Sequence, residues 1–199
     1  MKRSEETREK IIQAALELFV RKGYHGTSID EITRKVGLTK GALYSHFKSK
    51  GELLLRIIQE FDTRYLDQLI LAASTYPGNA LEKLNHAISF SSNFALHNLD
   101  LCVFLTALTS ELNADVDFEP ALKQAYRRYQ KFISELIAQG IRQGLIKKEL
   151  DPDLGAWTFM AIHDGVLHQW VLNRDRVDGK EYVKTFRTIF MEGFKRHDQ

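Results

Sequence analysis

The chain has 199 residues, 44% of them hydrophobic and only three of them proline, which suits a helical protein made of one large domain or of a small module joined to a larger one. Cys102 is its single cysteine, so neither an intrachain disulfide framework nor a cysteine-based zinc site is available; residues 1–10 are mostly charged and polar, and the longest apolar stretch, around Leu101–Leu108, is too short to span a bilayer, so a cytoplasmic protein is expected. The net charge of +2 divides unevenly: residues 1–50 carry 11 Lys/Arg and 6 Asp/Glu (+5) and the remainder carries 17 and 20 (−3), which directs the N-terminal end towards nucleic acid or another anionic surface.

The first predicted helix runs from about Ser4 to Lys22, with Ile11, Ala15, Leu18 and Phe19 at helical spacing and Gly23 as its stop. Thr27-Ser28-Ile29-Asp30 reads as a capping box that opens a second helix, which ends near Val36-Gly37. Thr39 caps a short third helix to about His46, and Ser49-Lys50-Gly51-Glu52 opens a long fourth helix to about Ser74. After the turn Tyr76-Pro77-Gly78-Asn79 come a fifth helix (about Ala80–Asn98) and a sixth (about Leu101–Leu112). Asn113–Asp117 is a predicted loop whose Asp117 caps a seventh helix, with Pro120 in its first turn and Gly144 as its stop. Asp151-Pro152 starts an eighth helix to about Asn173, and the ninth covers Gly179 to about Arg196. The predicted fold is all-α with about nine helices, divided into residues 1–50 and 51–199.

Residues 29–47, IDEITRKVGLTKGALYSHF, carry the sharpest pattern: two short helices joined by a tight turn at Gly37, where glycine accepts a positive φ without steric cost. Ile32, Val36, Leu38, Leu43 and Phe47 clamp this pair together and onto the first helix. The outer side of the third helix then keeps Thr39, Lys40, Tyr44, Ser45 and His46, which are donors and a flat ring suited to phosphates and base edges. Gly41 costs this helix ~1 kcal/mol relative to alanine, and either close approach to DNA or a merely weak short helix explains it. Lys50 and the free N–H groups beside it face an anion at the start of the fourth helix, and Thr27, with Ser28 at the next helix start, offers a second such place.

The run TREKIIQAALELFVRKGYHGTSIDEITRKVGLTKGALYSHFKSKGELL resembles the DNA-binding domain of the TetR family from end to end, through the Phe19…Gly23-Tyr24 helix exit, Thr27, Gly37 and the TKGALYSHFKSKGELL ending. The resemblance implies phosphate contacts for Thr27, Tyr44, His46 and Lys50, and places Thr39, Lys40, Gly41 and Ser45 at or near the base-reading face. Ser45 is smaller than the residue many relatives hold there. The resemblance further implies a helical C-terminal domain that dimerises and binds a small ligand, and GLIKKELDPDLGAWTFMAIHDGVLHQW is similar to the matching segment of AcrR-type efflux regulators.

Two features of residues 51–199 bear on these expectations. The eighth helix is apolar almost all round (Leu154, Trp157, Phe159, Met160, Ile162, Val166, Leu167, Trp170, Val171, Leu172), and the ninth has a stripe of Tyr182, Phe186, Ile189, Phe190 and Phe194. A helix buried on two sides fits a homodimer interface, and a monomer core is the competing reading. Aromatic residues Phe61, Tyr65, Phe90, Phe94, Phe104, Tyr129 and Trp157 are candidates to line a ligand pocket, against the plainer reading that they are core. His163 and His168 are five apart, about 140° round a helix, and do not form a metal-binding pair. No phosphate loop or nucleophile elbow occurs, so neither an enzyme nor a cofactor or metal is expected. The leading reading is a ligand-responsive regulator, taken as a repressor, that binds palindromic operator DNA as a dimer and is released by a small molecule. The competing one is a helical small-molecule-binding or scaffold protein with a degenerate helix-turn-helix.

Overall fold

Ten α-helices and one π-helical stretch make up the computed structural model, which describes residues 2–109 and 118–196. They are α1 (Lys2–Lys22), α2 (Ile29–Val36), α3 (Lys40–Tyr44), α4 (Lys50–Phe61), the π stretch Asp62–Asp67, α5 (Gln68–Thr75), α6 (Ala80–His97), α7 (Leu99–Leu108), α8 (Glu119–Arg142), α9 (Pro152–Asn173) and α10 (Gly179–Phe194). The expected fourth helix is thus present from Lys50 to Thr75, but it is interrupted by the π stretch, a local insertion that hydrophobic periodicity does not reveal. The only β pairing among the described residues is the isolated bridge between Ile146 and Lys195. No described helix is long and apolar enough to cross a membrane. The expected Asn113–Asp117 loop and the Asp117 cap lie outside the described residues.

The described residues divide into two compact units, 2–63 with 98–109 and 118–123, and 64–97 with 124–196. In the first unit the apolar stripe of α1 (Ile11, Ala15, Leu18, Phe19) is buried with Ile32 of α2, Leu43 of α3, Phe47, and Leu53, Leu54 and Ile57 of α4. Phe104 of α7 stacks on Phe19 with ring centroids 5.5 Å apart. This helix therefore belongs to the N-terminal unit, although it is remote from it in sequence.

The second unit is built on α6, α9, α10 and α8 from Gln124 onward, with α5 against α6. Phe159 of α9 is fully enclosed and meets Phe190 of α10 edge-on at 5.1 Å, Phe186 at 6.5 Å and Tyr129 of α8 at 6.2 Å. Phe186, Phe190 and Phe194 form one continuous aromatic column down α10. Phe186, Phe190 and Phe194 of the expected stripe are thus the core of their own unit, whereas Tyr182 is half-buried and Ile189 is 69% exposed. Asp151 caps α9 by accepting from the Leu154 N–H at 2.8 Å, with Pro152 at the first helical position as expected.

Candidate functional site

The helix-turn-helix forms from local rules that can be traced residue by residue. Gly37 takes φ +70°, and its N–H returns to the carbonyls of Thr33 and Arg34, closing α2 in the left-handed conformation that glycine adopts most cheaply. The cap that starts α2 is Ser28 rather than Thr27. Ser28 Oγ accepts from the Glu31 N–H, and the Glu31 carboxylate accepts from the Ser28 N–H, a complete capping box one residue later than the sequence pattern suggested. Lys22, hydrogen-bonded to Glu31 from the end of α1, together with the Ser28 contacts, holds the Glu31 carboxyl down to about 2. Thr39 caps α3 through the Ala42 N–H at 3.2 Å. Ser49 caps α4 through the Glu52 N–H at 3.0 Å, while the Glu52 carboxylate accepts from Lys48 N–H, so this second box closes one residue upstream of its usual place.

With Ile32, Leu43 and Phe47 fully buried and Val36 and Leu38 half-buried, the opposite side of α3 faces outward. Tyr44 is 47% exposed there, beside exposed Thr39, Lys40, Gly41 and Ser45 and half-buried His46. A Cβ built on Gly41 would meet nothing within 4 Å, so no packing inside the chain requires glycine at that position. Lys40 is ion-paired to Asp30 of α2 at 2.6 Å, and this hydrogen bond raises its pKa. Ser45 Oγ donates to the Ala42 carbonyl at 2.7 Å.

Two of the expected phosphate contacts turn out to have structural partners as well. Thr27 is buried at 2% exposure, and its hydroxyl lies within hydrogen-bonding distance of the carbonyls of Gly23 (2.9 Å) and Leu18 (3.2 Å), tying the exit of α1 to the entry of α2. The Lys50 ammonium donates to the carbonyls of Tyr24 and Thr27, both at 2.8 Å, and sits 4.4 Å from the Tyr24 ring centroid. Lys50 therefore staples the start of α4 to the α1–α2 loop. Lys50→Ala is expected to cost about 1–3 kcal/mol of stability through the lost charged hydrogen bonds, and to lower the salt slope of DNA binding by ~1. Denaturation and binding titrations at several salt concentrations measure the two effects separately, and a purely structural lysine would leave the slope unmoved.

Residues 11–57 match the family described as bacterial regulatory proteins, tetR family, and residues 81–192 match the C-terminal domain of BetI-type transcriptional repressors. The chain belongs to the TetR family. Among its relatives, the HTH-type transcriptional regulator SrpR of Pseudomonas putida is 28% identical over 174 residues, covering 87% of this chain and 79% of SrpR. The MbdR regulator from Azoarcus sp. CIB is 29% identical with a TM-score of 0.84, covering 96% of this chain and all of MbdR (100%). FadR from Bacillus subtilis, solved in complex with stearoyl-CoA, has the same fold at a TM-score of 0.80 and 22% identity, covering 94% of this chain and 98% of that one. This TetR-family chain is a transcriptional regulator with a helix-turn-helix DNA-binding domain, and its family is one of regulators rather than enzymes. Its C-terminal part matches the BetI type; an AcrR regulator, from Shigella flexneri, is a relative at 25% identity.

The seven aromatic residues expected around a ligand are distributed over both units of this TetR-family fold. Phe61 and Phe104 belong to the first unit, where Phe104 stacks on Phe19. In the second, Tyr65 meets Phe94 at 4.8 Å, Tyr129 at 6.0 Å and Phe90 at 6.3 Å. Trp157 lies on the open face of α9 at 46% exposure. Within the aromatic cluster, buried Ser91 Oγ is 2.8 Å from Tyr65 Oη and 3.4 Å from Tyr129 Oη, and donates to the Ala87 carbonyl. Burial pushes the Tyr129 phenol up to about 12. A cavity of about 240 Å³ opens elsewhere in the second unit, among α6, α9 and the start of α10, with Ser92, Asn93, His163, Val166, Trp170 and Lys180 in its lining. None of the seven aromatics lines it. Aromatic content passes over this cavity, whose α6 wall is made by Ser89, Ser92, Asn93, Ala95 and Leu96.

Proposed function

We propose that this regulator is a cytoplasmic repressor that binds a palindromic operator as a homodimer and releases it when a small molecule occupies the C-terminal part. Residues 1–50 serve as the DNA-binding module and residues 51–199 as the regulatory one. The observation that carries the DNA half of the reading is the outer side of α3. There Thr39, Lys40, Tyr44 and Ser45 are exposed together, and Gly41 leaves open space where a backbone can approach a groove. Thr27, Ser28, His46 and Lys50 flank that side: His46 and Lys50 serve phosphates through their side chains, and buried Thr27 fixes the loop that presents Ser28 at the start of α2.

Dimerisation rests on a second observation. Leu154, Trp157, Ile162 and Leu172 of α9 and Ile189 of α10 are large apolar residues left exposed on the two helices whose other sides form the core. An apolar face of this kind marks an interaction site, and a helix-turn-helix that reads two half-sites needs a two-fold partner. Release by a ligand requires that the ligand bind the arrangement unsuited to the operator better than the one that fits it. The stearoyl-CoA complex of FadR supports an effector in a protein of this fold. The scaffold reading predicts no salt-dependent DNA retention, and it leaves the outward donors of α3 without a role.

Selection of bound fragments from random DNA tests the proposal: a palindromic consensus is expected, and unselective binding counts against it. Asp30→Asn sharpens the test. Removing the carboxylate that pairs with Lys40 should tighten operator binding and steepen its salt dependence, because the ammonium no longer exchanges a partner on binding. Unchanged affinity would take Lys40 out of the interface.

A further inference from the structure

We infer that the cavity among α6, α9 and α10 is the effector site and that it takes a small amphipathic monocarboxylate, with its apolar body inside and its carboxylate at Lys180. The inference rests on the reading of this protein as a ligand-responsive regulator, and it names the site and the ligand class. The cavity measures about 240 Å³. An apolar void of about 150 Å³ is enough for benzene, so this one has room for a substituted ring or a chain of about eight to ten carbons. Its walls include Leu96, Val166, Val183 and Phe186, which favour a hydrocarbon body.

Of the polar side chains in the lining, Ser89 is spent on the Asn85 carbonyl, whereas those of His163 and Asn93 remain available. The His163 ring stacks parallel to Phe159 and makes no hydrogen bond among the described residues. Desolvation pulls the pKa of His163 down to about 4, so at neutral pH it is an uncharged imidazole with one donor and one acceptor to offer. The side-chain amide of Asn93 likewise has no hydrogen-bond partner among the described residues. By contrast, the Ser92 hydroxyl is donated to the Ile88 carbonyl.

Charge at the mouth decides the ligand's sign. Lys180, in the first turn of α10, makes no ion pair among the described residues and is the one charged side chain in the cavity's lining; Asp178 and Glu181 lie outside that lining, where Asp178 accepts from the Lys180 and Glu181 N–H groups and Glu181 pairs with Lys184. A cation at the rim of an apolar cavity whose nearest polar lining is uncharged selects a single negative charge over a zwitterion or a cation. Gly179 contributes to the shape: a Cβ there would come within 2.8 Å of Trp170 Nε1, so its absence lets the indole lie against the start of α10.

The test uses 4-phenylbutyrate, its methyl ester and 4-phenylbutylamine on full-length protein carrying Trp157→Phe, so that Trp170 is the remaining tryptophan. The acid should bind and change Trp170 emission, the ester should bind more weakly, and the amine should not bind. Lys180→Gln should weaken the acid about fivefold and leave the ester unchanged. Val166→Trp should abolish binding of both, and Ala95→Leu is the milder filling variant if Val166→Trp does not fold. Equal binding of acid and amine, acid binding undiminished by the filling variants, or no binding by any of the three at millimolar concentration overturns the inference. Operator release is read separately. Acid that enters this cavity without weakening operator binding leaves the site standing and defeats the induction reading, while release by an acid that ignores the filling variants does the reverse.

Discussion

Phe190→Asp should yield unfolded protein, whereas Ile189→Asp, one residue earlier on the same helix, should yield folded monomers. Phe190 is 5% exposed and packs on Phe159, Phe186 and Phe194. Truncating a buried phenylalanine costs about 3–5 kcal/mol, and an unpaired carboxylate in the same place adds several more. The sum rivals the total stability of an ordinary domain, about 5–15 kcal/mol. Ile189 points the other way at 69% exposure, and a surface substitution shifts protomer stability by only about 0.5 kcal/mol. What Ile189→Asp disrupts is the proposed dimer contact, which draws on the exposed apolar residues of α10 and α9, Ile189 with Leu154, Trp157, Ile162 and Leu172. Circular dichroism separates folded from unfolded chains, and sedimentation separates dimer from monomer. A dimeric Ile189→Asp would place the interface elsewhere, and a wild type that sediments as a monomer at micromolar concentration would remove the dimer.

His163 and Asp164, neighbours on α9, should give the wild type a nearly flat stability profile between pH 4 and 6.5 by cancelling each other. Burial pulls the His163 pKa from 6.5 to about 4, so its contribution is full above pH 6.5 and is lost as pH falls towards 4, because the unfolded chain takes up the proton first. Burial pushes the Asp164 carboxyl from 3.8 to about 6, so its contribution is full below pH 3.8 and is lost as pH rises towards 6, where the folded chain must ionise a desolvated acid. At 1.36 kcal/mol per pKa unit each amounts to about 3 kcal/mol, and both residues keep part of their surface open, so about 2 kcal/mol is expected. Asp164→Asn should therefore lose stability on acidification from pH 6.5 to 4 and gain at pH 7. His163→Phe should lose stability as pH rises from 4 to 6. Denaturant midpoints across this range measure both slopes. Parallel profiles for the three proteins would mean that neither group is desolvated on folding.

Most of the helix-turn-helix was legible in the sequence because its determinants are local. The 3.6-residue spacing of Ile11, Ala15 and Leu18, the glycine that closes α2 and the Thr39 and Ser49 caps each act within a few residues of chain, so each could be read from neighbours alone. The same locality delivered Asp151-Pro152 at the start of α9. It fell short where two local solutions compete. Thr27 and Ser28 both could cap α2, and the choice went to Ser28 because Thr27 is drawn inward by carbonyls of α1 and the loop after it, nine and four residues back.

Tertiary structure decided what periodicity leaves open, namely what each apolar or charged face meets. The stripe Phe186, Phe190 and Phe194 has the spacing of an interface and of a core alike, and only the packing of Phe159 against it makes it core. Aromatic content nominated seven pocket residues, yet whether a ring lines a void depends on whether its neighbours fill the space, which is a property of several helices at once. Lys50 reads as a free cation at a helix start until Tyr24 and Thr27, more than twenty residues earlier, present their carbonyls to it. The all-helical class and the DNA-binding element could be read without any tertiary contact, because both are written in short-range spacing. Which lysine is tethered, which aromatics are core and where a cavity opens were decided by contacts between distant segments, whose geometry no single stretch of chain encodes.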